Sequence, residues 1–226
     1  QTVNYEVNVL RSAFLWAQDH NWISIVPTRK VKKLKAAPKR QIRILDEKEC
    51  EQFLAASREL SKKDSKYEVY TDAFKFILNS GLRSGELCNL TWDDVDLESG
   101  MIHIRAKLGW TPKTSERSFY LNDVCLEILL SMKPREGYVF KSSTGKQLDT
   151  DDVRRVLLRV AKIARIDGLT RVHDLRHTFS SLAQMNGVDR GTMAAILGHE
   201  DEATTKIYTH QTAEHLKKSV NKVRVG

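Results

Sequence analysis

The chain has 226 residues, 41% hydrophobic and 29% charged, with a formal net charge of +8. That suffices for one sizeable core, or one domain with a small appendage, and the composition is that of a soluble globular protein. No apolar run approaches the roughly 20 residues that span a bilayer, so no membrane partner is expected, and no signal-peptide pattern opens the sequence.

Cys50, Cys88 and Cys125 lie far apart, without CxxC spacing. They read as small buried residues in a reducing compartment, which places the protein in the cytoplasm. The basic charge is concentrated. Arg29, Lys30, Lys32, Lys33, Lys35, Lys39, Arg40 and Arg43 fall between Asn21 and Leu45 with no acidic residue among them. The rest of the chain is formally neutral, so one segment carries the basicity. It reads equally as a polyanion contact and as a solvated tether.

In chain order, Val3, Val7, Leu10 and Phe14 repeat at helical spacing from the very start. So apolar a helix needs a partner face, which implies a fragment whose missing N-terminal part packs on it. Pro27, Pro38 and the basic run then mark a linker. Asp46 and Glu49 have the spacing of a capping box ahead of Phe53 and Leu54, opening a helix that runs to about Leu60, followed by a loop SKKDSK. A second helix carries Tyr70, Phe74, Ile77 and Leu78 and ends at Gly81, suited to a left-handed position. Arg83 follows at the start of a short helix, SGELCNL.

The stretch DVDLESGMIHIRAKLGWTPKTSERSFYL holds two or three short strands, with Met101, His103 and Arg105 on one face and Ile102 and Ile104 on the other. Lys113 falls in the turn before the last strand. Helices resume over 122–132, 149–166 and 173–185; Asp189 starts a short one that Gly198 stops, and Ala203 onward is again helical. The fold class is α+β, mostly α-helical, with a small antiparallel sheet of three strands.

Candidate chemistry lies in HDLRHTFSSLA and LGHEDEATTKIYTH. His173 and His177, spaced i, i+4, share a helix face, as in a zinc helix. Yet Asp174 stands where metalloprotease chemistry needs Glu, Arg176 lies between the two imidazoles, and no third ligand is indicated, so no metal site and no cofactor are expected. His173 and Arg176, spaced i, i+3, suit one phosphate instead, because a guanidinium fork matches two phosphate oxygens and stays charged. His199, directly after Gly198, points off a helix end. Tyr208, nine residues on, reads alone as an ordinary packed tyrosine.

Taken in order, GLRSGELCNLTWDDVDLESGMIHI, the hairpin lysine, HDLRHTFSSLA and LGHEDEATTKIYTH resemble the tyrosine recombinases, in particular phage-type integrases, over residues 42 to 215. The resemblance implies a remnant helix of an N-terminal core-binding domain (1–26), a basic linker contacting DNA (27–41) and a catalytic domain (42–226). It implies a site-specific recombinase of a mobile element that cuts and rejoins double-stranded DNA through a 3′-phosphotyrosine, self-associating on DNA as a tetramer in the synaptic complex. Arg83 and Arg176 match the arginines that grip the scissile phosphate, and His173 the histidine of the HxxR box. His199 matches a phosphate hydrogen-bonding position, Tyr208 the nucleophile, and Glu86 the acidic support. Lys113 matches the hairpin lysine that protonates the leaving 5′-oxygen, with Lys107 as substitute. The tail helix after Tyr208 docks on a neighbouring subunit in this family, or folds back on its own domain. A type IB topoisomerase-like enzyme and a non-catalytic DNA-binding module are the alternatives.

Overall fold

A computed structural model describes residues 2–35, 41–133, 135–197 and 213–226. The chain forms two compact units, 1–41 and 42–226.

In the first unit, α1 (Thr2–Asp19) is followed by a turn at Asn21, which holds a left-handed φ of 59°, and by a 3₁₀ turn at Pro27–Lys30. The basic segment is no loose tether within this unit. Arg11 donates to the carbonyls of Thr28 (3.2 Å) and Val31 (2.7 Å), and Asn4 exchanges two hydrogen bonds with the Leu34 backbone (2.8 and 2.9 Å). Arg29, Lys30, Lys32, Lys33 and Lys35 are exposed along it, while Lys39 and Arg40 lie outside the described residues. Tyr5, Val9, Leu10 and Trp16 of α1 are also exposed. Among the described residues, no helix is long and apolar enough to cross a membrane.

The second unit is built around α3 (Glu68–Ser80), which packs against α2 (Glu47–Lys63), α5 (Asp123–Ser131) and α7 (Val172–Met185). Tyr70, Phe74, Phe76, Ile77 and Leu78 are all buried, so α3 is apolar on more than one face, as a helix enclosed by others must be. Asp46 and Glu49 do form the capping box of α2. That helix runs three residues past Leu60, and Ser65–Tyr67 form a 3₁₀ turn where a loop is expected. A short α4 (Ser84–Cys88) leads to an antiparallel meander of β1 (Val95–Asp96), β2 (Met101–Ile104) and β3 (Arg117–Tyr120). The register pairs Ile102 with Phe119, both buried, and Ile104 with Arg117.

Asn122 caps α5, and Asp149 caps α6 (Thr150–Ile163). The latter ends three residues before Ile166, where Arg165 turns left-handed at φ 56°. Asp189 accepts from the Thr192 N–H (2.9 Å) at the start of α8 (Arg190–Leu197). After α9 (Ala213–Val220) the tail folds back on its own domain. Asn122 Nδ2 donates to the Val223 carbonyl (2.6 Å), Asn79 both donates to and accepts from the Val225 backbone, and Val220, Val223 and Val225 are buried.

Gly81 ends α3 at φ 67°, and a Cβ there would meet Phe179 at 2.5 Å and Leu197 at 2.7 Å. A left-handed non-glycine residue costs roughly 1–2 kcal/mol and overpacking about 1–3 more. Thermal unfolding of the Gly81→Ala variant should therefore show a melting temperature lowered by roughly 5–15 °C.

Candidate active site

α3 and α7 bring the site together. Where α3 stops at Gly81 the chain emerges at Arg83; α7 runs alongside and delivers Arg176 to the same end. The Arg176 side chain is buried, and its guanidinium donates to the carbonyls of Gly81 (2.6 Å), 95 residues away, and Leu197 (2.8 Å). It thereby ties the end of α3 to the last residue of α8. His199 and Tyr208 follow in residues 198–212, as does Gly198, outside the described residues.

Arg83 is held at several points. Its Nη1 donates to Glu86 Oε1 (2.9 Å) and to the Thr114 hydroxyl (3.1 Å), while its backbone N–H donates to Glu86 Oε2 (3.0 Å). Glu86 is only 2% exposed and lies in a bidentate pair with Arg117, at 2.9 and 2.8 Å. Burial pushes its carboxyl up, but the hydrogen bonds and charges of Arg117 and Arg83 outweigh that and hold it below its ordinary value. Two guanidiniums thus share one carboxylate with the charge of Arg176 nearby, and the cluster stays positive. Burial, then the charge of Arg83, pulls the Arg176 guanidinium down to about 9, still protonated at neutral pH.

His173 sits one turn before Arg176 with its ring edge-on to that of His177, centroids 4.5 Å apart. Burial, followed by the charges of His177, Arg176 and Arg83, lowers its pKa to about 4. The imidazole is therefore neutral at pH 7. An NMR titration of the ring should give a midpoint near 4 in place of the ordinary 6.5. Native His173 resists protonation that the unfolded chain accepts, so it reduces stability as pH falls from about 6.5 towards 4. The His173→Gln variant should lose that part of the acid sensitivity.

The two hairpin lysines differ. Lys107 Nζ donates to the Asn89 carbonyl, to the Thr91 hydroxyl (3.0 Å) and to the buried Asp94 carboxylate, bracing the base of the hairpin. Lys113 is exposed, next to the Thr114 that touches Arg83. The structure thus groups Arg83, Glu86, His173 and Arg176, with Lys113 one residue from that group. Arg117 and Thr114 are the members that reading the sequence misses. No local pattern signals either one, because each meets its partner 31 residues away only once the hairpin closes.

A sequence model of the Phage integrase family matches residues 43–215. The chain belongs to the phage integrase family. Tyrosine recombinase XerC of Thermodesulfovibrio yellowstonii is 30% identical over 95% of this chain and 73% of its own length. Tyrosine recombinase XerA of Thermococcus kodakarensis is 33% identical over 66% of this chain, which spans 53% of that protein; for XerA of Saccharolobus solfataricus the figures are 30%, 87% and 60%. Among solved structures, the XerA recombinase crystal structure aligns with a TM-score of 0.57 at 26% identity, over 92% of this chain and 71% of that one. The Tn1549 transposon integrase in complex with transposon right end DNA gives 0.71 at 23% identity, over 98% and 78%, a likeness of fold. The mostly helical phage integrase domain with its three-stranded sheet is the expected fold.

Proposed function

We propose that this phage integrase family chain is the catalytic part of a site-specific recombinase that cuts and rejoins double-stranded DNA through a tyrosine–phosphate bond. The observation that carries this reading is the convergence of Arg83 and Arg176, with neutral His173, on the end of α3. Negative charge builds on the non-bridging oxygens of a phosphodiester under attack. Two fixed guanidiniums in a water-poor site stabilise it, each such donor being worth on the order of 10²–10³ in rate.

In this scheme the Tyr208 hydroxyl attacks phosphorus and His173 takes its proton, since a phenol of pKa about 10 is almost wholly neutral at pH 7. His199 donates a hydrogen bond to the phosphate. As the bond to the 5′-oxygen breaks, Lys113 supplies the proton that oxygen needs; the engagement of Lys107 with Asp94 favours Lys113 for this role. The 3′-phosphotyrosine conserves the bond, and attack by a 5′-hydroxyl from a partner strand reverses the steps without an external energy source.

The exposed basic run of unit 1 supports DNA contact by the linker (27–41). Residues 1–26 are assigned to the end of a core-binding domain, and 42–226 to the catalytic domain. Exchange of two duplexes requires four such subunits, hence a tetramer on DNA. Three free, buried thiols support a cytoplasmic setting; burial raises Cys50 and Cys88 to about 12. The test is a nicked suicide duplex in the presence of a chelator: a covalent protein–DNA adduct is expected, and its absence would remove the reading.

A further inference from the structure

We infer that Arg117 is a positioning residue of the cleavage site: through Glu86 it fixes Arg83, so that the β2–β3 hairpin and the phosphate grip are set as one unit. This rests on the function proposed above. Arg117 opens β3, and its side chain is 7% exposed. Both terminal nitrogens of its guanidinium engage Glu86 (2.9 and 2.8 Å), and Nε is directed at the Ile196 carbonyl in the last turn of α8 (3.4 Å). With both terminal nitrogens on Glu86 and its side chain nearly buried, Arg117 acts on the site through that carboxylate.

The residue it positions is Arg83. Each Glu86 oxygen accepts from Arg117 and also from Arg83, one from the side chain (2.9 Å) and one from the backbone (3.0 Å). Three residues before Arg117, the hairpin touches Arg83 again through the Thr114 hydroxyl (3.1 Å). Arg83 is therefore braced by the hairpin along two routes, one direct and one relayed by Glu86. Lys113 directly precedes Thr114, where the direct route ends, so the hairpin arm that carries the leaving-group lysine also sets the angle of Arg83. A bidentate fork fixes the carboxylate plane, which a lysine cannot do. Misplacement of a catalytic group by about 1 Å costs on the order of 10²-fold in rate.

The test measures single-turnover cleavage of a nicked suicide duplex at saturating DNA for the full chain and for Arg117→Lys, Arg83→Lys and the double variant, with DNA affinity and thermal unfolding recorded for each. Arg117→Lys should cleave about 30- to 100-fold more slowly, with DNA affinity within about threefold of the parent. In the Arg83→Lys background the same change should cost less than about threefold, because the group it positions is already altered. The inference is overturned if Arg117→Lys cleaves like the parent, if the two penalties multiply, or if the loss follows DNA affinity. Should Arg117→Lys fail to fold, the neutral Glu86→Gln/Arg117→Gln pair replaces it in the same cycle, under the same criteria. An unsubstituted chain that forms no adduct would instead remove the proposed function.

Discussion

Replacing Glu86 by alanine should destabilise the 42–226 domain by about 3–5 kcal/mol, the cost of removing one partner from a buried ion pair. Arg117 and Arg83 converge on this carboxylate with side chains only 7% and 19% exposed, and the nearby Arg176 guanidinium is itself buried. Without Glu86, Arg83 and Arg117 would face one another with no anion between them, and the charge of Arg176 would add to their repulsion. Denaturant unfolding at neutral pH should show the loss, and the melting temperature should fall by roughly 10 °C. The pH dependence has a definite sign. A carboxyl held below its ordinary 4.5 in the folded state stabilises the fold above that value, and the contribution disappears as pH falls through the folded-state value. The gap between parent and variant should therefore be full at pH 7 and should narrow in acid.

The second large effect concerns the nucleophile. Tyr208→Phe removes one hydroxyl and leaves the ring, so folding and DNA affinity should be unchanged while covalent adduct formation falls below detection. Other tyrosines are poorly suited to replace it. Tyr70 is buried, with burial raising its pKa; the Tyr67 hydroxyl accepts from Arg159; and the Tyr120 ring lies beneath Lys217 at 5.0 Å. Gel separation under denaturing conditions distinguishes bound from covalently linked DNA and checks both halves of the expectation.

Much of this architecture is readable from local patterns because the interactions concerned are local. The capping box of Asp46 and Glu49, the helix stop at Gly81 and the caps at Asn122, Asp149 and Asp189 each involve residues within four positions of one another. Strand β1 is two residues long, too short for an alternation to register. The fold-back of the basic segment along α1 depends on Asn4 and Arg11 bonding to backbone groups 17 to 30 residues on, which leaves no mark on periodicity. At the site, residue types and order suggest Arg83, His173 and Arg176, but the Arg117–Glu86 pair spans 31 residues and shows only when the hairpin is closed. In sequence Lys113 is the match and Lys107 its substitute; the buried Asp94 separates them further, since its carboxylate engages Lys107.

The central claim is that a tyrosine of this chain bonds covalently to DNA beside Arg83 and Arg176. The most direct measurement is mass-spectrometric mapping of the nucleotide-linked peptide after the unsubstituted chain reacts with a nicked suicide duplex. A 3′-phosphate ester on Tyr208 is the predicted result. A modified residue elsewhere, at Tyr120 or Tyr138 for example, or cleavage that leaves no protein-linked strand, would contradict it.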